Sequence, residues 1–270
     1  VPKLYGIPMA TCARKALVVA FEKGLDFEYC EVEREFLATD DYRRLNPKGL
    51  VPTLVREDGE VLYESSLVIR YLDESDAKGI QLQPADPLLR ARMNGWLKDV
   101  DELYFAATGA LTVATFIRFM VGDPINEDKF KIMLDSIPDP VARRFREVSV
   151  RQGIDSEPAK LATQHVPEML HKIETSLAQQ QWLSADHITL ADCAVFPLML
   201  RLEELGLDEI WQDGYPRLKR WWATLNARRS VVKIRNMAQP EITAGLKESA
   251  RATREELVKR MTKTLEQLSQ

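Results

Sequence analysis

The sequence predicts a small α/β domain followed by a larger all-helical one. Three observations predict it. The segment up to Ser75 holds short strand-like runs in the order β-α-β, then β-β-α. "DAKGIQLQPADP" (Asp76 to Pro87) reads as a linker. Beyond it, apolar residues recur almost everywhere at helical spacing. The expected bounds are 1–77 and 88–270, with an insertion in the helical half at about 123–160.

"KLYGI" (Lys3 to Ile7) is short, apolar and closed by Pro8, which makes it a strand. Ala13, Ala16, Leu17, Ala20 and Phe21 then mark a helix, with Gly24 as its C-cap. "DFEYCEVE" (Asp26 to Glu33) alternates as a strand does, and a polar stretch runs on to "NPKG" (Asn46 to Gly49). "TLVRE" and "VLYES" flank Asp58-Gly59 as a hairpin. Leu67, Val68, Tyr71 and Leu72 share one face of the next helix. The crossover joins the first two strands as parallel neighbours, and the hairpin completes the sheet.

In the second half, Leu88 to about Met120 is one long periodic segment. Residues 123–160 are polar and hold Pro124, Pro138, Pro140 and Pro158, which predicts short helices and loops, or a lid. Helices are expected at about Leu161–Gln180, Leu190–Leu205 and Pro216–Ala227. "ITLADCAVFPLM" carries a capping box, in which Thr189 caps and Asp192 reaches back, worth roughly 1 kcal/mol. Leu257, Val258, Met261, Leu265 and Leu268 form the stripe of a C-terminal amphipathic helix.

Composition narrows the function. The chain has 270 residues, 45% hydrophobic and 29% charged, with a formal net charge of -4. That is room for one large core or two modest ones. There is no basic excess to neutralise phosphates, so nucleic acid is not an expected partner. The most apolar stretch, Phe105 to Ile117, is too short to span a bilayer and holds three threonines, so no membrane role is expected. Cys12, Cys30 and Cys193 form no CxxC, and His165, His171 and His187 do not stand at metal-ligand spacing with them. No metal site is expected. With a strand starting at once and few cysteines, a cytoplasmic location is expected.

"VPTLVREDGEVLYESS" (Val51 to Ser66) poses a chemical question. A proline heading a strand removes a ladder donor. A cis Val51–Pro52 bond makes that acceptable, because Val51 then offers its N–H and C=O outward to an extended peptide. Glu64-Ser65-Ser66 opens a helix, where free amides and a hydroxyl suit a carboxylate. Glu64 beside them suits an ammonium. The bland reading of the same stretch is a plain helix cap with a trans proline.

This arrangement resembles the thioredoxin-like domain of the glutathione transferase superfamily. "LNPKGLVPTLVREDGEVLYESSLVIRYL" looks like that family's glutathione-binding core, and "KLYGIP", "EKGLDFE" and "ITLADCAVFP" also match. The resemblance covers about residues 3 to 235. It implies a thioredoxin-like domain followed by an all-α domain, glutathione as co-substrate, and a homodimer. It implies that Val51, Pro52, Glu64 and Ser65 hold the tripeptide. One departure stands out: many members have glutamine where this chain has Leu50. Lys48 either replaces its charge contact with the glycyl carboxylate or is a solvated turn residue.

Glutathione's thiol, with a pKa near 8.5, is mostly protonated at neutral pH, so the enzyme has to stabilise the thiolate. The family does so at the start of the first helix, here "PMATCARKAL" (Pro8 to Leu17). The serine of plant phi-type enzymes falls on Ala10. The cysteine of bacterial beta-type enzymes falls on Cys12, a slot that holds asparagine in bacterial aryl-ether-cleaving enzymes. Thr11 is the neighbouring hydroxyl. Cys12, Thr11 and backbone N–H groups alone stay open as the activating group. Arg14 reads as a surface or interface residue, and Cys30 and Cys193 as buried small residues.

The family's electrophile sits against the long helix of the second domain, so Tyr104, Phe105, Thr108 and Thr112 are candidates for an apolar pocket, although each alone fits a core position. The insertion resembles the aryl-ether-cleaving enzymes in place and in its basic character. Arg143, Arg144, Arg146 and Arg151 read as a solvated face ahead of an anion site. Three functions follow. The first is a transferase or lyase in which glutathione displaces an ether or halide from a small hydrophobic electrophile, as in detoxification. The second is a thiol–disulfide enzyme using Cys12. The third is a non-catalytic scaffold.

Overall fold

A computed structural model describes residues 1–76, 79–122 and 124–268. Residues 77 and 78, on which the expected domain boundary falls, lie outside the described residues, as does residue 123, which opens the expected insertion. The elements of the first part are β1 (Lys3–Gly6), α1 (Thr11–Lys23), β2 (Glu28–Glu31), α2 (Arg34–Leu37), α3 (Asp40–Leu45), β3 (Thr53–Val55), β4 (Val61–Tyr63) and α4 (Ser65–Ser75). Helices follow: α5 (Pro87–Val121), α6 (Glu127–Asp135), α7 (Pro140–Gln152), α8 (Glu157–Ser176), α9 (Leu190–Glu204), α10 (Pro216–Asn226), α11 (Arg229–Asn236), α12 (Pro240–Ala250) and α13 (Arg254–Leu268). The polar stretch after β2 is thus two short helices, and α11 and α12 were not legible in the periodicity.

The four strands lie in the order β2-β1-β3-β4. β1 and β2 are parallel, with Leu4 opposite Tyr29, and the other two pairs are antiparallel. Gly6 lets α1 sit close to this sheet. A Cβ there would lie 2.9 Å from the Tyr29 ring and 3.2 Å from the Ala13 Cβ. Gly24 ends α1 in the left-handed conformation, at φ 65°, as its sequence position predicts.

Two compact units form. The first comprises Val1–Lys98, Gln180–Pro197 and Trp222–Gln239; the second holds Asp99–Gln179, Leu198–Trp221 and Pro240–Gln270. The first therefore recruits segments far along the chain. Arg228 donates to both carboxylate oxygens of Glu22 at 2.7 and 2.6 Å, and Ser230 bonds the same group. The Leu190 amide bonds the Leu82 carbonyl, and the Trp96 indole bonds that of Leu183. With α4 on one side and α11 on the other, α1 is buried on nearly every face. Arg14 is fully buried, not a surface residue: its guanidinium donates to the Pro8 carbonyl at 2.8 Å and contacts the Met9 sulfur at 3.1 Å. Cys193 is buried as expected, whereas Cys30 is partly exposed.

Asp192 reaches back as the capping box requires. It accepts the Thr189 amide and hydroxyl, both at 2.8 Å, and also the Leu183 amide at 3.0 Å. Asp73 plays a similar part at the end of α4, accepting Lys23 and the Leu82 and Gln83 amides.

In the second unit, α8 packs against α5 and α13, and Leu257, Met261 and Leu265 form the buried stripe of α13. The segment expected as an insertion packs into a core and is not an open lid. Phe130 of α6 and Val150 of α7 close a core with Val113, Ile117 and Val121. Arg151 holds Glu127 through two bonds, Arg143 donates to the Ile137 carbonyl, and Arg144 pairs with Glu147. Helix α5 is long and apolar enough to cross a membrane by length and composition, but 56% of its most apolar window is buried in the protein, as in a core helix.

Candidate active site

The sequence-predicted residues of the first unit converge on two helix starts and one turn. Four helices begin with a side-chain cap from their N-cap residue: Thr39, Asn126, Asp139 and Ser156 accept amides at the starts of α3, α6, α7 and α8. α1 and α4 do not. Their N-cap residues, Ala10 and Glu64, make no side-chain cap bond. Both helix starts therefore present amides, and the positive end of a dipole, to whatever lies in front of them.

Glu64 departs further from routine geometry. Its φ is 73°, and it is the one non-glycine residue with positive φ among those described. A residue with a Cβ there costs of order 1–2 kcal/mol, a kind of strain that concentrates at working sites. The outcome is that Ser65 begins α4 abruptly, half-buried, its hydroxyl bonded to no described residue. The Glu64 carboxylate pairs with Lys48, which it holds above the ordinary lysine range, and both side chains are about half exposed. Lys15 of α1 is buried and bonds the Ser66 hydroxyl in the first turn of α4.

The Val51–Pro52 bond is cis. Leu50 is 57% exposed and Val51 is buried. The Val51 N–H bonds no described residue, while its carbonyl accepts the Cys12 thiol at 2.9 Å. Cys12 packs with Ala13, Val32, Tyr42 and Val51. Burial pushes its thiol up, and the Ala13 and Cys12 amides and Lys15 only partly offset this. Thr11 stands one residue earlier, half-buried, with its hydroxyl bonded to no described residue. The arrangement thus offers an extended peptide one amide donor, offers a carboxylate the start of α4, and offers an anion the start of α1.

Comparisons with known proteins place the chain in a family. Residues 10–75 match the family model described as glutathione S-transferase, N-terminal domain, and residues 148–229 match its C-terminal domain. The chain belongs to the glutathione transferase superfamily. The sheet domain followed by helices is this superfamily's fold, and the chain is an enzyme of that family. Among its relatives, protein LigF of Sphingobium sp. (strain NBRC 103272 / SYK-6) is 28% identical over 239 residues, covering 86% of this chain and 92% of LigF. The crystal structure of beta-etherase LigF superposes with a TM-score of 0.77, 27% identity, and coverage of 88% of this chain and 99% of that one. Tetrachloro-p-hydroquinone reductive dehalogenase of Sphingobium chlorophenolicum is 25% identical over 247 residues, covering 87% of this chain and 95% of that protein.

The four substrate-side candidates of this glutathione transferase lie on α5, in the second unit. Tyr104 and Thr108 are buried, whereas Phe105 is 41% exposed and Thr112 partly so. The Thr108 and Thr112 hydroxyls each donate to the carbonyl one turn back, at 2.9 Å. Phe105 and Thr112 are the pair with accessible atoms. Wider π-type turns at Val100–Tyr104 and Val113–Ile117 bracket this stretch, and periodicity gave no sign of them. The sequence reading also missed Lys15, because a lysine in a helix ordinarily signals a solvated face.

Proposed function

We propose that this glutathione transferase uses the glutathione thiolate to displace an aryl oxide from an aryl ether. The sulfur bonds to the electrophilic carbon, the carbon–oxygen bond breaks, and the aryl oxide leaves to take a proton from water. The observation that carries the glutathione site is the pair of uncapped helix starts flanking an unpartnered Val51 N–H. The Val51 N–H takes the cysteinyl carbonyl, and the start of α4 with Ser65 takes the γ-glutamyl carboxylate. Lys48 exchanges its bond with Glu64 for the glycyl carboxylate. The choice of leaving group is supported by the likeness to the beta-etherase LigF over nearly the whole of both chains.

For the activating group we assign Thr11 over Cys12. The Cys12 hydrogen is given to Val51, and burial disfavours its thiolate, so it is poorly placed to act as donor or nucleophile. The Thr11 hydroxyl is uncommitted and stands at the start of α1, where the dipole favours a thiolate. The same facts weigh against the thiol–disulfide reading. Two copies acting together in the cytosol complete the reading.

The test is a titration of the reduced protein with glutathione at neutral pH, followed by the ultraviolet absorbance of bound thiolate. Turnover of a β-aryl ether that releases a fluorescent phenol follows. Saturable thiolate with ether cleavage is the expected result. Thiolate with turnover of halides alone would replace the leaving group, and no glutathione binding would sink the reading.

A further inference from the structure

The Leu50 carbonyl, on a residue whose side chain is largely exposed, is held by a knot of buried polar groups. Tyr42 and Thr53 are 0% exposed and Asn46 is 2% exposed. The Tyr42 hydroxyl and the Asn46 amide both reach the Leu50 oxygen at 2.8 Å. Asn46 also donates to the Thr53 hydroxyl at 3.0 Å, and the Tyr42 and Thr53 hydroxyls lie 2.9 Å apart.

Proton counts and distances together fix the direction of this network: the Thr53 hydroxyl also lies 3.3 Å from the Leu50 oxygen, a longer approach than the 2.8 Å of Tyr42 and Asn46. Asn46 has two amide hydrogens, and each has one acceptor, Leu50 and Thr53. Tyr42 has a single hydrogen. The shorter approach to Leu50 sends it there, so Thr53 donates to the Tyr42 oxygen and every donor is used once. The ring is therefore polarised toward one carbonyl, whose two lone pairs it fills. The Asn46 side-chain oxygen is engaged as well, by the Lys48 amide at 3.1 Å.

That matters because of the next atom along. The Leu50–Val51 peptide is not among the cis bonds, so its N–H points opposite to its C=O. Pinning the carbonyl inward aims the Val51 N–H outward, where it meets no described acceptor. We infer that Tyr42, Asn46 and Thr53 are positioning residues that orient the Leu50–Val51 peptide and so hold the Val51 N–H ready for the backbone of a peptide ligand. The inference rests on the glutathione reading above. It explains why this segment commits three buried polar side chains to a single loop carbonyl, where apolar residues would fill the space without needing partners.

The experiment compares Tyr42→Phe, Thr53→Val and Thr53→Ser with the wild type. Glutathione titration, steady-state kinetics and backbone hydrogen exchange are measured on each. Tyr42→Phe removes one donor to Leu50 and is expected to weaken glutathione binding about tenfold, the scale of one hydrogen bond. kcat at saturating glutathione and the pKa of the bound thiol stay at the wild-type values. Thr53→Val leaves both donors to Leu50 and costs about threefold or less, and Thr53→Ser restores the wild type. Exchange at residues 49–53 quickens in Tyr42→Phe and not elsewhere. A folded Tyr42→Phe that binds glutathione within twofold of the wild type, with unchanged exchange at 49–53, overturns the proposal. So does a loss of kcat equal to the loss of affinity. Absence of binding by the wild type itself overturns the glutathione reading and this inference together, and is visible before any variant is made.

Discussion

The Cys12 thiol lies 2.9 Å from the carbonyl oxygen of Val51 and donates to it, joining the start of α1 to the turn that precedes β3. The cysteine is a neutral strut between two parts of the candidate site. Its sulfur is held as a thiol by burial, against the pull of the nearby amides and Lys15. A raised thiol pKa means less thiolate at neutral pH than a free cysteine has. Alkylation of Cys12 by iodoacetamide is therefore expected to be slower than that of free cysteine at pH 7.5, and to quicken as pH rises. Mass spectrometry of the digested protein reads this directly, and rapid labelling at pH 7 would contradict it.

Substitution separates the two neighbours in the window. Thr11→Val is expected to lower kcat/KM by roughly 10²-fold, the scale of one lost transition-state donor. It also shifts the pH–rate profile upward, because a thiolate that has lost its donor forms at higher pH. Cys12→Ala keeps the profile and changes the glutathione KM by a few-fold at most. Stopped-flow thiolate absorbance across pH checks both, and a Cys12→Ala variant with the shifted profile would reverse the assignment.

Glu64 exchanges stability for geometry. Glu64→Gly removes the positive-φ strain at 73° but loosens the unfolded chain. Its stability is expected to be within about 1 kcal/mol of the wild type, or higher, while the glutathione KM rises. Urea unfolding and steady-state kinetics on the same samples test this. Unchanged KM would show that the strain serves the fold and not the ligand.

Asp192 is expected to be among the most sensitive single positions for folding. Asp192→Ala strands the Leu183 and Thr189 amides in a fully buried setting. A loss of roughly 3 kcal/mol is expected, against about 1 kcal/mol for an ordinary cap. Chemical denaturation measures the difference, and a loss below about 1 kcal/mol would mean that water replaces the carboxylate.

Lys23 and Asp73 form a buried pair, their side chains 0% and 2% exposed. Lys23→Met leaves the Asp73 charge without its cation and is expected to cost about 3–5 kcal/mol. The double variant Lys23→Met/Asp73→Leu is expected to recover part of this, since the charge is then gone, although the Leu82 and Gln83 amides stay unpaired. A double-mutant cycle on unfolding free energies measures the coupling.

Much of the fold was legible because it is local. The Asp58-Gly59 hairpin, the Gly24 cap, the reach of Asp192 and the succession of strands and helices along the first part follow from turn chemistry and periodicity within a few residues of each other. The stretch from Val51 to Ser66 was legible as a candidate site for the same reason: its proline at a strand head and its serines at a helix start lie within one short run. What lies around that stretch was not legible. Arg14 reads as a surface or interface residue and Lys15 drew no reading, and both are buried. The residues that bury α1 come from α4 and from α11, and Arg228 and Ser230 reach Glu22 from more than 200 positions away. Nor does the sequence show that Tyr42, Asn46 and Thr53 meet at one carbonyl, or that the Cys12 hydrogen is spent on Val51. Local propensity and spacing determined which elements form and which turn is the candidate site. Burial and the sharing of hydrogens among distant groups were decided only by the tertiary structure, because both depend on which segments return to the same place.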